Sequence, residues 1–180
     1  TSDGITWTQG SIVSRSWQGL ASNGTKLVAS AYSSAVAAVS TDGITWTEYA
    51  LPRSSTWQRM TWTGTYFVVV ANATTVAARS LDGITWYETI TPLTPNIACG
   101  SSNGRVVLPN STTTGRYAIS YDHGFSWYNS AAGSHVWRSV IYDGSKFIAV
   151  GSGGALATST NGIAWTVKYN LLQDATFLNS

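Results

Sequence analysis

Short runs in which apolar and polar residues alternate, separated by turns rich in Gly, Asn and Asp, fill most of the chain. Residues 137–169 show the pattern most clearly. Residues 137–142 alternate, Asp143-Gly144-Ser145 forms a turn, 146–150 is a second apolar run, and 151–154 is a glycine-rich turn. A third run occupies 155–159, Thr160-Asn161-Gly162 is the next turn, and 163–169 is a fourth run. Alternation with a period of two between tight Gly turns predicts strands joined as antiparallel hairpins. Residues 57–89 repeat the order step for step, and 17–49 do so with Asn23-Gly24 as the first turn. The third copy is looser: Ile97 stands where the others carry Trp, Asn103-Gly104 is its turn, and Pro109 ends its second strand. No stretch carries a helical period of useful length, so the predicted class is all-β.

One octet gives the repeat its phase. Thr1-Ser2-Asp3-Gly4-Ile5-Thr6-Trp7-Thr8 returns as STDGITWT, SLDGITWY, SYDHGFSWY and STNGIAWT, with tryptophans at Trp7, Trp46, Trp86, Trp127 and Trp165. Gaps of 39, 40, 41 and 38 residues between them fit one four-stranded propeller blade per repeat. The sequence therefore predicts a single domain over 1–180, with repeats at about 11–49, 50–90, 91–130 and 131–169. Residues 1–10 and 170–180 would share a closing blade. The first expectation is a five-bladed propeller of four-stranded antiparallel blades, closed by a terminal strand that removes the exposed sheet edges; the alternatives are an incomplete closing blade or a place in a larger ring or assembly.

The octet has a physical reading that needs no ligand. Gly supplies the positive φ of a tight turn, the Asp carboxylate accepts backbone N–H groups, and the indole covers the hairpin's apolar side. Asp3/Trp7, Asp42/Trp46, Asp82/Trp86, Asp122/Trp127 and Asn161/Trp165 are accordingly read as structural pairs. The pattern Ser-x-Asp-Gly-x-x-Trp resembles the Asp-box, the bacterial neuraminidase repeat, over nearly the whole chain. The fourth copy departs by His123 inserted before Gly124, and the fifth by Asn161 in place of Asp. The resemblance implies a propeller but leaves the activity open, because Asp-box propellers include sialidases, glucanases, a photosystem assembly factor, sorting receptors, lectin-like proteins and phage tail components.

Charged residues are only 10% of the chain, so hydroxyls and amides must solvate the surface, which points to an extracellular or virion setting. A net charge of +2 with no basic run excludes the electrostatic footprint of a nucleic-acid binder. Cys99 is the sole cysteine, so no intrachain disulfide contributes to the fold. No apolar run is long enough for a membrane helix, and no membrane insertion is expected. Because the chain opens at Thr1 inside a repeat motif, it is expected to be a fragment or a processed product.

The acidic residues are Asp3, Asp42, Glu48, Asp82, Glu88, Asp122, Asp143 and Asp174. Four lie in the repeated octets, Glu48 and Glu88 occupy equivalent outer-strand positions, and Asp143 is in a turn. No facing carboxylate pair for glycoside hydrolysis stands out, and the arginines fall at scattered repeat offsets. His123 reads as a turn insertion and His135 as a loop residue, neither with a partner at metal-ligand spacing. No catalytic residue, cofactor or metal is assigned, and the chain is expected not to be an enzyme.

In a propeller, the turns between second and third strands and the links between blades share one face. On that face fall Arg15, Trp17, Tyr32, Arg53, Trp57, Asn72, His135, Trp137 and Arg138. Aromatic faces stack on the C–H surfaces of sugars, while Arg, Asn and His hydrogen-bond hydroxyls. Trp17, Tyr32, Trp57, Asn72, His135, Trp137 and Arg138 are therefore the candidate ligand-binding residues. Recurrence of Trp17, Trp57 and Trp137 at one blade position fits packing between blades equally well. The expected function is a non-enzymatic module binding a glycan, cell-surface receptor or host surface. The alternatives are a virion or cell-surface scaffold that docks another protein or a further copy of itself, and a sialidase-type glycoside hydrolase domain.

Overall fold

A computed structural model describes residues 5, 6, 8–95, 100–110, 115–131, 133 and 135–168. Among these described residues the alternating runs form sixteen strands. The first sheet comprises β1 (Trp17–Ser22), β2 (Leu27–Ala31), β3 (Ser34–Ser40) and β4 (Thr47–Ser55). The second comprises β5 (Trp57–Trp62), β6 (Phe67–Ala71), β7 (Val76–Ser80) and β8 (Tyr87–Ile90). The third comprises β9 (Gly100–Ser102), β10 (Arg105–Pro109), β11 (Arg116–Ser120) and β12 (Tyr128–Ala131). The fourth comprises β13 (Trp137–Tyr142), β14 (Phe147–Gly151), β15 (Leu156–Ser159) and β16 (Thr166–Lys168). Each sheet is an antiparallel meander in sequence order, as expected for propeller blades. The one helical element among the described residues is a single 3-10 turn at Ser152–Gly154.

The five-bladed ring closed by a terminal strand is corrected to four sheets. Among the described residues before β1, the one strand-type pairing is an isolated parallel bridge, Ser11 to Thr45, with the Ser11 N–H donating to the Ile44 carbonyl at 2.6 Å. Ser11 thus meets the first sheet's hairpin, and no strand forms before β1 among the described residues. Asp3, Trp7 and residues 170–180, the remaining parts of the expected closing blade, lie outside the described residues, as does Cys99.

Because side chains alternate across a strand, each sheet has two faces, and the sheets stack face to face. Val28, Ala37 and Val39 of the first sheet pack on Met60, Phe67, Val69 and Trp86 of the second. The second sheet's opposite face, Val68, Val70 and Ala77, packs on Val106, Leu108 and Ala118 of the third. Val107, Tyr117 and Ile119 of the third pack on Val140, Phe147 and Ala149 of the fourth. β6 illustrates why this run lacks polar residues: all five positions are buried, odd ones toward one neighbour and even ones toward the other.

The Trp at the head of the first strand is followed by a register shift at Trp17/Gly19, Trp57/Arg59 and Trp137/Ser139. This bulge re-aims the entering strand of the first, second and fourth sheets and, in the second and fourth, turns the indole fully inward. Trp57 and Trp137 are 0% and 1% exposed, and Trp57 donates its indole N–H to the Arg53 carbonyl at 3.1 Å. Trp17 makes the matching bond to Val13 at 3.0 Å.

Candidate binding surface

The antiparallel meander places inter-sheet links and second-to-third-strand turns at one end of the sheets. First-to-second-strand turns and the Ser-Asp-Gly hairpins lie at the other. The hairpins form the same network in each described copy. The Ser40 hydroxyl donates to Asp42 at 2.9 Å and accepts the Gly43 N–H at 2.8 Å, while Asp42 accepts the Ile44 and Thr45 N–H groups at 2.8 Å each. These backbone N–H groups and Ser40 hold the Asp42 carboxyl down, from an ordinary 3.8 to about 2. Partial burial pushes Asp82 and Asp122 up, but N–H donations from Thr85 and Ile84, and from Ser126, outweigh it and lower both. Asn161 does the same work uncharged, its amide oxygen accepting Ile163 and Ala164 at 2.9 and 3.0 Å. Trp46, Trp86 and Trp165 each donate to the carbonyl of the turn glycine. Trp127, displaced by the His123 insertion, donates instead to the Thr89 hydroxyl at 3.1 Å in the preceding sheet.

On the link face, the arginines that look scattered in the sequence fall into register. Arg15 makes a two-pronged pair with Glu48, 2.8 and 2.9 Å, and Arg53 pairs with Glu88 at 2.7 Å. Arg15 joins the segment entering the first sheet to that sheet's outer strand, whereas Arg53, near the end of β4, ties the first sheet's outer strand to the second's. Neither Trp57 nor Trp137 presents a ring face for stacking, since both lie in the inter-sheet core. Of the other candidates, Trp17, Tyr32, Asn72 and His135 are half-buried and Arg138 is exposed. They are spread over three sheets: Trp17 and Tyr32 at the first, Asn72 at the second, His135 and Arg138 at the fourth. His135 packs edge-on against Trp137 at 5.6 Å, and Arg138 donates to the Ser152 hydroxyl at 3.3 Å.

A denser cluster lies at the opposite end, in the groove between the second and third sheets. The Arg79 guanidinium sits 3.0 Å from the Phe125 ring centroid, 5.3 Å from Tyr66 and 5.7 Å from Tyr87. Tyr66 meets Phe125 edge-on at 5.5 Å, and Tyr87 and Phe125 are both largely exposed. His123 completes the groove, with Nδ1 at 2.8 Å from the Thr63 hydroxyl and its ring 5.5 Å from Tyr66. Arg79 Nε is buried without a hydrogen-bond partner. The ion pairs among the described residues are Arg15–Glu48 and Arg53–Glu88, so no described carboxylate neutralises Arg79.

Repeat register shows how unusual this groove is. Arg79 pairs across the strand with Tyr87, where the first sheet pairs Val39 with Thr47 and the third Ile119 with Tyr128. The corresponding groove between the first and second sheets is lined by Lys26, Val39, Thr47 and Ile84. Backbone and hairpin are shared, so the aromatic and cationic lining is not needed for the turn to form. Sequence reasoning passed over Arg79, Tyr87 and Phe125; the available signal was a charged residue at the repeat offset of Val39 and Ile119.

No protein-family profile matches the chain, nor does any curated protein. Solved structures of similar fold are β-propellers. A catalytically inactive virginiamycin B lyase from Staphylococcus aureus with quinupristin is 13% identical at a TM-score of 0.71, over 89% of this chain and 58% of that one. YCF48 from Cyanidioschyzon merolae is 16% identical at 0.67, over 91% and 59%, and a YCF48 has also been solved bound to D1 peptide. The computationally designed Ika4 protein is 13% identical at 0.65, over 89% of this chain and 100% of that one. The class defined by fold and neighbours is the β-propeller. The chain spans little more than half the length of the lyase and of YCF48, and at these identities the likeness establishes the fold alone.

Proposed function

We propose that this propeller is a non-enzymatic recognition module for carbohydrate or a host surface, with the groove between the second and third sheets as its contact. The observation carrying this reading is Arg79: a cation held by three aromatic rings, without a carboxylate partner among the described residues, at an offset where sister repeats hold Val39 and Ile119. An unsatisfied buried donor costs about 1–3 kcal/mol, and a cation over an aromatic face returns about 0.5–2. A ligand carboxylate beside the half-buried guanidinium would supply the counter-charge that the described residues do not, while exposed Tyr87 and Phe125 offer surfaces to the C–H faces of a sugar ring. The ligand class this fits is a carboxylate-bearing sugar. A non-catalytic role is supported by how the described carboxylates are engaged: Asp42, Asp82, Asp122 and Asp143 accept turn N–H groups, and Glu48 and Glu88 pair with arginine. The hydroxyl-rich, charge-poor composition fits an extracellular or virion setting.

The test is titration of acidic and neutral oligosaccharides by calorimetry into the wild type, Arg79→Met and Tyr87→Ala, with circular dichroism to verify folding. Acidic sugars should bind, and each variant should lose about tenfold or more in affinity, equivalent to about 1.4 kcal/mol. Absence of binding, or binding that Arg79→Met leaves intact, would refute this site. A second reading, a scaffold docking another protein, draws support from the peptide-bound YCF48. It predicts an Arg79-dependent acidic peptide ligand and no sugar ligand.

A further inference from the structure

The groove between the first and second sheets is the counterpart of the Arg79 groove one junction earlier, and it too holds a cation. Lys26 directly precedes β2 as Tyr66 directly precedes β6, since Leu27 pairs with Ser40 and Phe67 with Ser80. A cavity of about 290 Å³ opens there at the hairpin end, its lining including Lys26, Thr45, Thr47, Tyr49 and Ile84. Half-buried Lys26 donates from Nζ to the Asp82 backbone carbonyl at 3.3 Å and belongs to neither ion pair found among the described residues. Asp42 also borders this cavity. Its carboxyl, however, is turned to its own hairpin, where it accepts the Ile44 and Thr45 N–H groups and the Ser40 hydroxyl. An ammonium has three donors, so Lys26 keeps capacity for a ligand oxygen. The two grooves obtain their cations from different places in the repeat. In the first sheet the cation stands at the head of β2, with Val39 at the offset of Arg79; in the second it is Arg79 on β7, with Tyr66 at the offset of Lys26. A cation required by the turn or by packing would hold one offset. What the two junctions share is a positive charge delivered to the groove beside an exposed outer-strand residue, Thr47 in one and Tyr87 in the other.

We propose that the Lys26 groove is a second subsite for acidic sugar, and that the ligand is an oligosaccharide with carboxylates on more than one ring. The proposal rests on the sugar reading of the Arg79 groove and adds the length and charge pattern of the ligand. Both grooves open at the hairpin end, at successive junctions, so a single strand of sugars can lie across them. Both also lie between described sheets, so neither depends on what adjoins the first or the fourth sheet. Packed sheets stand about 10 Å apart, farther than one sugar ring reaches, so the two cations need carboxylates on different rings. Lys26 would meet one carboxylate while Thr45 and Thr47 hydrogen-bond sugar hydroxyls. Arg79 would meet another, with Tyr87 and Phe125 against the C–H faces. A sugar seated in one groove holds the next near the other at high effective concentration, so affinity grows with the length of the sugar chain.

Calorimetric titration of galacturonate, which carries a carboxylate on its ring, and of a length series of its oligomers tests this. Wild-type affinity should rise about tenfold or more once the oligomer is long enough to span both grooves. Lys26→Met, which keeps an unbranched apolar stem, should abolish that rise and leave binding of the single sugar at the Arg79 groove in place. Lys26→Arg should retain the rise, and Arg79→Met should weaken binding at every length. Wild-type affinity that does not change with length, or a rise that survives Lys26→Met, would overturn the second subsite, while the Arg79 reading would stand on the single sugar's loss in Arg79→Met. No binding at any length would overturn both. Should Lys26→Met fail to fold by circular dichroism, Lys26→Gln takes its place with the same expectation, and the wild-type length series needs no variant.

Discussion

Two glycines with nearly the same backbone separate the strain of a turn from the packing between sheets. Gly83, in the Ser-Asp-Gly hairpin of the second sheet, has φ of 80°, and Gly64, in that sheet's first turn, has φ of 86°. An alanine Cβ at 64 would meet nothing within 4 Å, whereas at 83 it would lie 2.7 Å from Val28 Cγ2 and 3.1 Å from Val39 Cγ2. Both substitutions carry the left-handed penalty, about 1–2 kcal/mol. Only Gly83→Ala adds overpacking against the first sheet, about 1–3 kcal/mol. Gly64→Ala should therefore lower stability by about 1–2 kcal/mol and Gly83→Ala by about 2–5. At about 2–4 °C per kcal/mol for a chain of this size, the second variant should melt several degrees below the first. Urea and thermal denaturation followed by tryptophan fluorescence would measure both. Equal destabilisation would mean that the hairpin is not seated on the neighbouring sheet, and the junction described above would not exist.

Trp57→Ala and Trp137→Ala should each destabilise by about 3–5 kcal/mol, read from denaturant midpoints, with any binding loss tracking the unfolded fraction. Trp17→Ala, at the half-buried equivalent, should cost less. Acid should weaken the fold through the hairpin carboxylates. The folded value of Asp42 is depressed to about 2, and Asp82, Asp122 and Asp143 are also lowered, so their contribution is full above the ordinary 3.8. It is lost as pH falls through the folded values, so melting temperature should decline progressively below about pH 4. Asn161→Asp should raise the melting temperature at pH 7, because charge-assisted acceptance from Ile163 and Ala164 is stronger, and the gain should disappear near about pH 2.

Period-two alternation, the Gly turns and the repeated octet made every described sheet and its meander order legible from residues 17 to 168. These are local properties: a turn's φ requirement and a strand's side-chain alternation are written within a few residues of each other. The sequence also read the hairpin Asp and Trp residues as structural; Trp46, Trp86 and Trp165 bond within their own hairpins, whereas Trp127 reaches Thr89 of the preceding sheet. What it could not decide is which faces meet. Trp57 and Arg79 are both good recognition chemistry on paper, yet the recurring bulge turns one into the core, while the neighbouring sheet's Phe125 packs on the half-buried guanidinium of the other. Blade number was equally out of reach, since two partial motifs at the ends fit a closing blade in outline. Only the tertiary arrangement shows Ser11, just after the first of them, bridging to Thr45 of the first sheet, because pairing between distant segments depends on the curvature accumulated over every junction between them.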